Sequence, residues 1–179
     1  MYKHIERRYL PEFIYGGIDG AITTLAIIAG AIGAVLNPAI ILILGFANLA
    51  ADGFSMGVSK YLSSQSEKEL HRKHKDARRY KIQAHQSIKN GIATFLSFII
   101  IGFIPLMPFV VALFVPEIRP YKFTLSIIFT GVALSIVGGI KGKIVQKSPF
   151  YSALQTLLIG GIAATIAFLV GYMLRGLAG

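Results

Sequence analysis

Five apolar runs constrain this chain more than any other feature. They lie at 13–36, 39–62, 91–114, 122–140 and 152–174. An α-helix rises about 1.5 Å per residue, so about 20 apolar residues cross about 30 Å of hydrocarbon. Each run is close to that length. The alternating pattern of a β-barrel is absent, and helices satisfy their own backbone hydrogen bonds in lipid. The fold class that follows is an all-α integral membrane protein of five transmembrane helices, one transmembrane domain over residues 1–179. Composition agrees: charged residues are 15% and mean hydropathy is +0.65, whereas soluble domains carry about 25% charge. The first run is too long for a cleaved signal peptide and has no A-x-A-like cleavage site.

The net charge of +10 is a topology signal rather than a nucleic-acid signal. Of the 18 basic residues, 15 fall before the first run, between the second and third (counting Lys60, at the end of the second), or between the fourth and fifth. Only Arg119, Lys122 and Arg175 fall on the other side. The positive-inside rule then predicts a cytosolic N-terminus and an external C-terminus, with the basic side against anionic lipid headgroups. The partners that follow are a lipid bilayer and no nucleic acid. With no cysteine in the chain, thiolate metal sites and thiol nucleophiles are excluded, and redox compartment is undetermined.

Asn37-Pro38 in "LNPAI" predicts a tight turn between the first two spans. Residues 63–90 form the only long polar segment, with Leu70, Ala77, Ala84 and Ile88 near helical spacing. This predicts a cytosolic helical extension of the second span, then a turn near Asn90-Gly91. Pro105 and Pro108 in "IPLMPF" predict a kink or an end in the third span. Small residues recur every four positions in the first span: Gly16, Gly20 and Thr24, then Ala26, Gly30 and Ala34. Such faces let backbones approach closely, either within one protomer or across a homodimer.

Two carboxylates lie inside predicted spans, Asp19 and Asp52. A charge at the bilayer centre costs about 2.5–3.5 kcal/mol by insertion scales. No Lys or Arg lies deep in any span, so a cation from outside the chain is the natural partner. Counting from the cytosolic side puts Asp19 and Met56 at about 9 Å, Asp52 at about 15 Å and Asn48 at about 21 Å. Asn48, Asp52 and Met56 share one helix face, with Ser55 and Ser59 nearby. Glu12, seven residues before Asp19, points the same way at the cytosolic mouth. Carboxylate oxygens with a thioether suit Fe²⁺ or Mn²⁺ better than Mg²⁺ or Ca²⁺. The candidate metal residues are therefore Asp19, Met56, Asp52, Asn48 and Glu12. Met56 also has an ordinary reading as helix packing, and each aspartate as a protonated or Asn/Ser-paired structural acid.

"YGGIDGAITTLAIIAGAIGA" followed by "GFANLAADGFSMGVSKYLSSQSEKE" resembles the opening hairpin of the vacuolar iron transporter family. "GFIPLMPF" resembles its third span and "LLIGGIAATIAFLVGYML" its fifth. The resemblance runs through nearly the whole chain. It implies a five-span homodimer that exports Fe²⁺, and often Mn²⁺, from the cytosol in exchange for protons. It also implies a path between the first two spans of each protomer. Asp19 and Met56 match the family's first-span aspartate and second-span methionine, and Glu12 an acidic residue at the mouth. Three positions depart from the pattern. Asn48 stands where plant members have glutamate, with Asp52 one turn closer to the cytosol. Lys60 stands where Glu or Gly is common. The glutamate-rich cytosolic domain is cut to fewer than thirty residues.

In that short segment Glu67, His71 and His74 share a helical face, a possible metal-capture pattern. Residues 63–90 nevertheless hold eight basic and three acidic side chains, a field that disfavours cations. A solvated face is the better reading. No enzyme is expected. The D-G motif also opens the signature of CDP-alcohol phosphotransferases, but Thr23 and Thr24 replace its A-R, and Asn37 and Ile41 its later aspartates. The four histidines, His4, His71, His74 and His85, all lie outside the spans. The function expected is a Fe²⁺ or Mn²⁺ exporter working by proton antiport, with the metal as substrate and no cofactor. The competing reading is a non-transporting scaffold or metal-responsive regulator. So compact a chain points to a prokaryotic plasma membrane.

Overall fold

The computed structural model describes residues 2–72 and 77–177, with the side chains of 2–8, 68 and 70–86 outside that description. His71, His74 and the apolar residues between Leu70 and Ala84 therefore lie outside the described side chains. The order is α1 (Tyr2–Gly33), α2 (Pro38–Arg72), α3 (Ala77–Gly102), α4 (Met107–Phe114), α5 (Lys122–Ile144) and α6 (Pro149–Leu174), with short 3-10 turns at Ile104–Leu106, Pro116–Ile118 and Arg175–Leu177. Five stretches are long and apolar enough to cross a membrane: Tyr9–Gly33, Pro38–Glu67, Ser87–Phe114, Lys122–Ile144 and Pro149–Leu177.

The third stretch is broken where the prolines predict. A proline has no N–H to give and crowds the preceding turn, so α3 stops at Gly102 and the chain restarts as α4. Ser126 of α5 donates its hydroxyl to the Pro105 carbonyl at 2.7 Å, which satisfies a backbone acceptor at the break. The turn at Asn37-Pro38 also forms. Asn37 caps α2 by accepting from the Ala39 N–H at 2.9 Å, and Pro38 takes the first helical position, where no N–H is needed.

The turn expected at Asn90-Gly91 does not form, because both residues lie inside α3. Gly91 serves close packing instead. A Cβ there would stand 2.6 Å from the Gly57 carbonyl oxygen, and one on Gly57 would stand 3.0 Å from the Gly91 oxygen. The same antiparallel register sets Gly53 beside Phe95 and Phe98, Leu49 beside Gly102, and Gly45 beside Leu106. Glycine lets the two backbones touch where any side chain would hold them apart.

Both small-residue stripes of α1 are used within the chain. Gly16 and Gly20 lie directly on Ser97, Thr94 and Phe98 of α3, while Gly30 and Ala34 of the second stripe lie on Ala167 and Gly171 of α6, with Gly33 beside them on Phe168. Packing inside one protomer thus accounts for them. α6 answers with its own small face, where Thr156 and Ser152 meet Gly138 and Gly142 of α5. Helix α1 is central, packed chiefly on α3 and α6 and much less on α2. The core cluster is Ile28, Ala31, Ile41, Leu49, Phe98, Leu106 and Phe109.

Candidate functional site

The polar residues singled out from the sequence lie along α1 and α2, at the seam where these two helices run side by side without packing tightly. Glu12 and Asp19 are two turns apart on α1, which keeps them on neighbouring faces. Asn48, Asp52, Met56 and Lys60 follow one another at four-residue spacing on α2. The two rows are tied at one end. Lys60 Nζ lies 3.4 Å from Glu12 Oε1, and Glu12 is only 7% exposed. The other oxygen, Oε2, is buried without a partner among the described residues. Ser97 reaches over from α3 and donates its hydroxyl to the Glu12 backbone carbonyl at 3.4 Å.

Shared contacts on α3 fix the relative levels of the candidates. Gly20 of α1 and Leu49 of α2 both meet Gly102, and Gly16 and Gly53 both meet Phe98. Asp19, next to Gly20, therefore lies nearer the level of Asp52 than that of Met56, with which counting from span ends paired it. No basic side chain pairs with either aspartate among the described residues. The Thr23 hydroxyl is committed to the Asp19 carbonyl at 2.8 Å, so it holds its own helix rather than the aspartate's side chain.

Burial separates the members of this group. Asp19, Asn48 and Met56 are half-buried, whereas Asp52, Ser55 and Ser59 are exposed on the single chain. Asn48 Nδ2 is a buried donor with no partner among the described residues. Met56 packs against the core cluster, so it has a packing role whatever else it does. Among the described residues, no three His, Cys, Asp or Glu side chains are grouped to hold a metal ion. What one chain offers is two carboxylates, an amide and a thioether strung along a seam, open on the α2 side.

Lys60 is the residue that sequence reasoning placed too lightly. It stood out there as a departure from a pattern, not as the partner of Glu12. The signal was present: Lys60 extends the row of Asn48, Asp52 and Met56 by one more turn toward the end where Glu12 lies.

The comparisons with known proteins cover this whole arrangement. The model of the VIT family matches residues 10–88 and 78–172. The chain is 26% identical over 229 residues to the "Vacuolar iron transporter" of Plasmodium berghei, which covers 96% of this chain and 84% of that one. It is 28% identical over 210 residues to "Vacuolar iron transporter 1" of Eucalyptus grandis, covering 88% and 83%. The first alignment is longer than this 179-residue chain, so the relative carries residues that this one lacks. The two pieces of the family match overlap at 78–88, in the part of α3 that precedes its membrane stretch. With Glu12, Asp19, Asn48, Asp52 and Met56 all inside the matched residues, and both ends of the membrane bundle included, the chain belongs to the VIT family.

Proposed function

We propose that this protein carries Fe²⁺ or Mn²⁺ out of the cytosol along the α1–α2 seam, in exchange for protons. Asp19, Met56 and Asp52 act as the main metal donors, Asn48 adds a neutral oxygen, and Glu12 serves the cytosolic mouth. The observation that carries this reading is that Asp19 and Asp52 lie in membrane-spanning stretches at similar depth, with no basic side chain paired to either among the described residues. Two like charges in low dielectric repel strongly. A divalent cation relieves that repulsion, and so does a proton, which is the physical basis for exchange between them. The relatives named above are iron transporters, in keeping with this reading.

A second copy completes the site in this reading. Asp52 on a lipid-facing surface would cost about 2.5–3.5 kcal/mol. A homodimer that seats this face of α2 against its equivalent removes the aspartate from lipid and doubles the donors around the path. The membrane is the prokaryotic plasma membrane, with the three basic clusters on the cytosolic side. A non-transporting scaffold or metal-responsive regulator is the competing reading, favoured by the residues this chain lacks relative to its longer relatives.

The deciding experiment is metal flux in proteoliposomes under an imposed pH gradient. Wild-type protein should move Fe²⁺ or Mn²⁺, and Asp19→Asn should abolish that flux while keeping the dimer. Asp52→Asn should lose flux, and the swap Asn48→Glu with Asp52→Gly should recover it. Normal flux in Asp19→Asn removes the assignment of Asp19. No flux in wild type leaves the scaffold.

A further inference from the structure

The ion pair between Lys60 and Glu12 is built in an unusual way for a structural salt bridge. The carboxylate is buried, yet only one of its oxygens is engaged, at a long 3.4 Å. The other oxygen is buried with no partner among the described residues, and a buried acceptor left unpaired is costly. The lysine side chain, by contrast, is 37% exposed. It is a compact charge on a flexible four-carbon stem, free to move toward water without disturbing the packing. A half-satisfied buried acceptor facing a mobile cation is suited to exchanging that cation.

We infer that Lys60 is a tethered cation that occupies Glu12 until a divalent metal displaces it, and so sets the threshold for loading the transport path. The inference rests on the function proposed above. Lys60 lies one helical turn from Met56 on the same face of α2, so its ammonium stands at the head of the donor row. An arriving divalent ion takes both Glu12 oxygens, which one ammonium does not do in this structure, and the lysine swings to solvent. A metal that binds Glu12 weakly does not displace it. Its positive charge also repels a second cation while the site is closed.

The substitutions separate this role from a structural one because they move loading in opposite directions. Lys60→Gln removes the competitor. Lys60→Arg supplies a planar fork that engages both carboxylate oxygens. The readouts are half-saturation for Mn²⁺ uptake into proteoliposomes and equilibrium Mn²⁺ binding to the purified full chain. Half-saturation should fall about fivefold in Lys60→Gln, the size of a partly exposed ion pair, and rise in Lys60→Arg. In a Glu12→Gln background, Lys60→Gln should have no effect, because the coupling between the two is what is measured. Unchanged half-saturation in both Lys60 variants overturns the inference. So does an undiminished Lys60→Gln effect without Glu12, which would be a general effect of surface charge. If wild-type vesicles take up no Mn²⁺, the transport reading fails, and the same comparison on equilibrium binding decides the role of Lys60 separately.

Discussion

Helices α2 and α6 are both largely uncovered in the single chain, but they are uncovered in different ways. Of the apolar stretch of α6, only 6% is buried, against 22% for α2. The outer face of α6 is Leu158, Ile159, Ile162, Ile166, Leu169 and Val170, large aliphatic side chains that lipid solvates as well as protein does. Its exposed Thr165 donates its hydroxyl to its own helix, at the Gly161 carbonyl. The outer face of α2 carries Ala47, Ala51, Asp52, Ser55 and Ser59 among its exposed residues. Small residues permit close backbone approach, and a carboxylate is expensive against hydrocarbon. Exposure alone is thus a poor guide in a membrane protein. The chemistry of the exposed face separates a surface for lipid from one for another protein or a polar path.

The largest test of this contrast uses two glycines. Gly91 holds α2 to α3 against backbone that cannot move aside, whereas a Cβ on Gly161 of α6 meets nothing within 4 Å. Gly91→Leu should lower stability by about 3 kcal/mol, and Gly161→Leu should stay within about 0.5 kcal/mol of wild type. Denaturant titration in detergent reads both. Equal losses would mean that α6 also has a partner on that face.

Next in size is a pair on the outer faces themselves. Ala51→Trp should overfill the proposed dimer contact by about 2 kcal/mol, raising the dissociation constant about thirtyfold. Ile162→Trp on α6 should leave it unchanged. Stepwise photobleaching of single molecules in bilayers gives the dimer fraction, and dimerisation insensitive to Ala51→Trp moves the contact elsewhere.

Met56 offers a smaller effect on selectivity. A thioether favours softer ions, so Met56→Leu should let excess Mg²⁺ compete more strongly with Mn²⁺. The volume is conserved, and the stability cost should stay under about 1.5 kcal/mol. Unchanged competition by Mg²⁺ reduces Met56 to its contact with the core.

The smallest effect lies in the two turns that lead into α2 and α6. Both α1 and α5 end with the closing hydrogen bonds of a Schellman motif, Leu36 N–H to Ala31 O and Lys147 N–H to Gly142 O. The left-handed position in each is not glycine: Val35 has φ 59° and Gln146 φ 56°. A β-branched residue is strained there. Val35→Gly should stabilise by about 0.5–1 kcal/mol and Gln146→Gly by less, read as shifts in thermal midpoint. A loss in Val35→Gly would mean that the exposed valine has a contact outside the single chain.

Much of the fold was legible because the bilayer imposes simple arithmetic. Helix number, the Asn37-Pro38 turn and the break at Pro105 and Pro108 follow from apolar length and from what proline cannot do. Asn90-Gly91 was misread for an equally physical reason. Glycine marks a turn in water, but in membrane helices it also marks a backbone crossing, and the local sequence is the same in both. The two glycine stripes of α1 had the same ambiguity, since a stripe records that something approaches closely and not which chain it belongs to.

The sequence by itself placed the polar groups in depth to within about one helical turn, because depth follows from residue count along a rigid helix. It put Asp19 and Asp52 in the membrane interior and Glu12 and Lys60 near one end. Which groups face each other depends on the rotation and spacing of α1 and α2, and these come from α3, which packs its glycines, Ser97 and Phe98 against both. Only the tertiary structure therefore decided that Lys60 meets Glu12 and that Asp52 is left on the uncovered face.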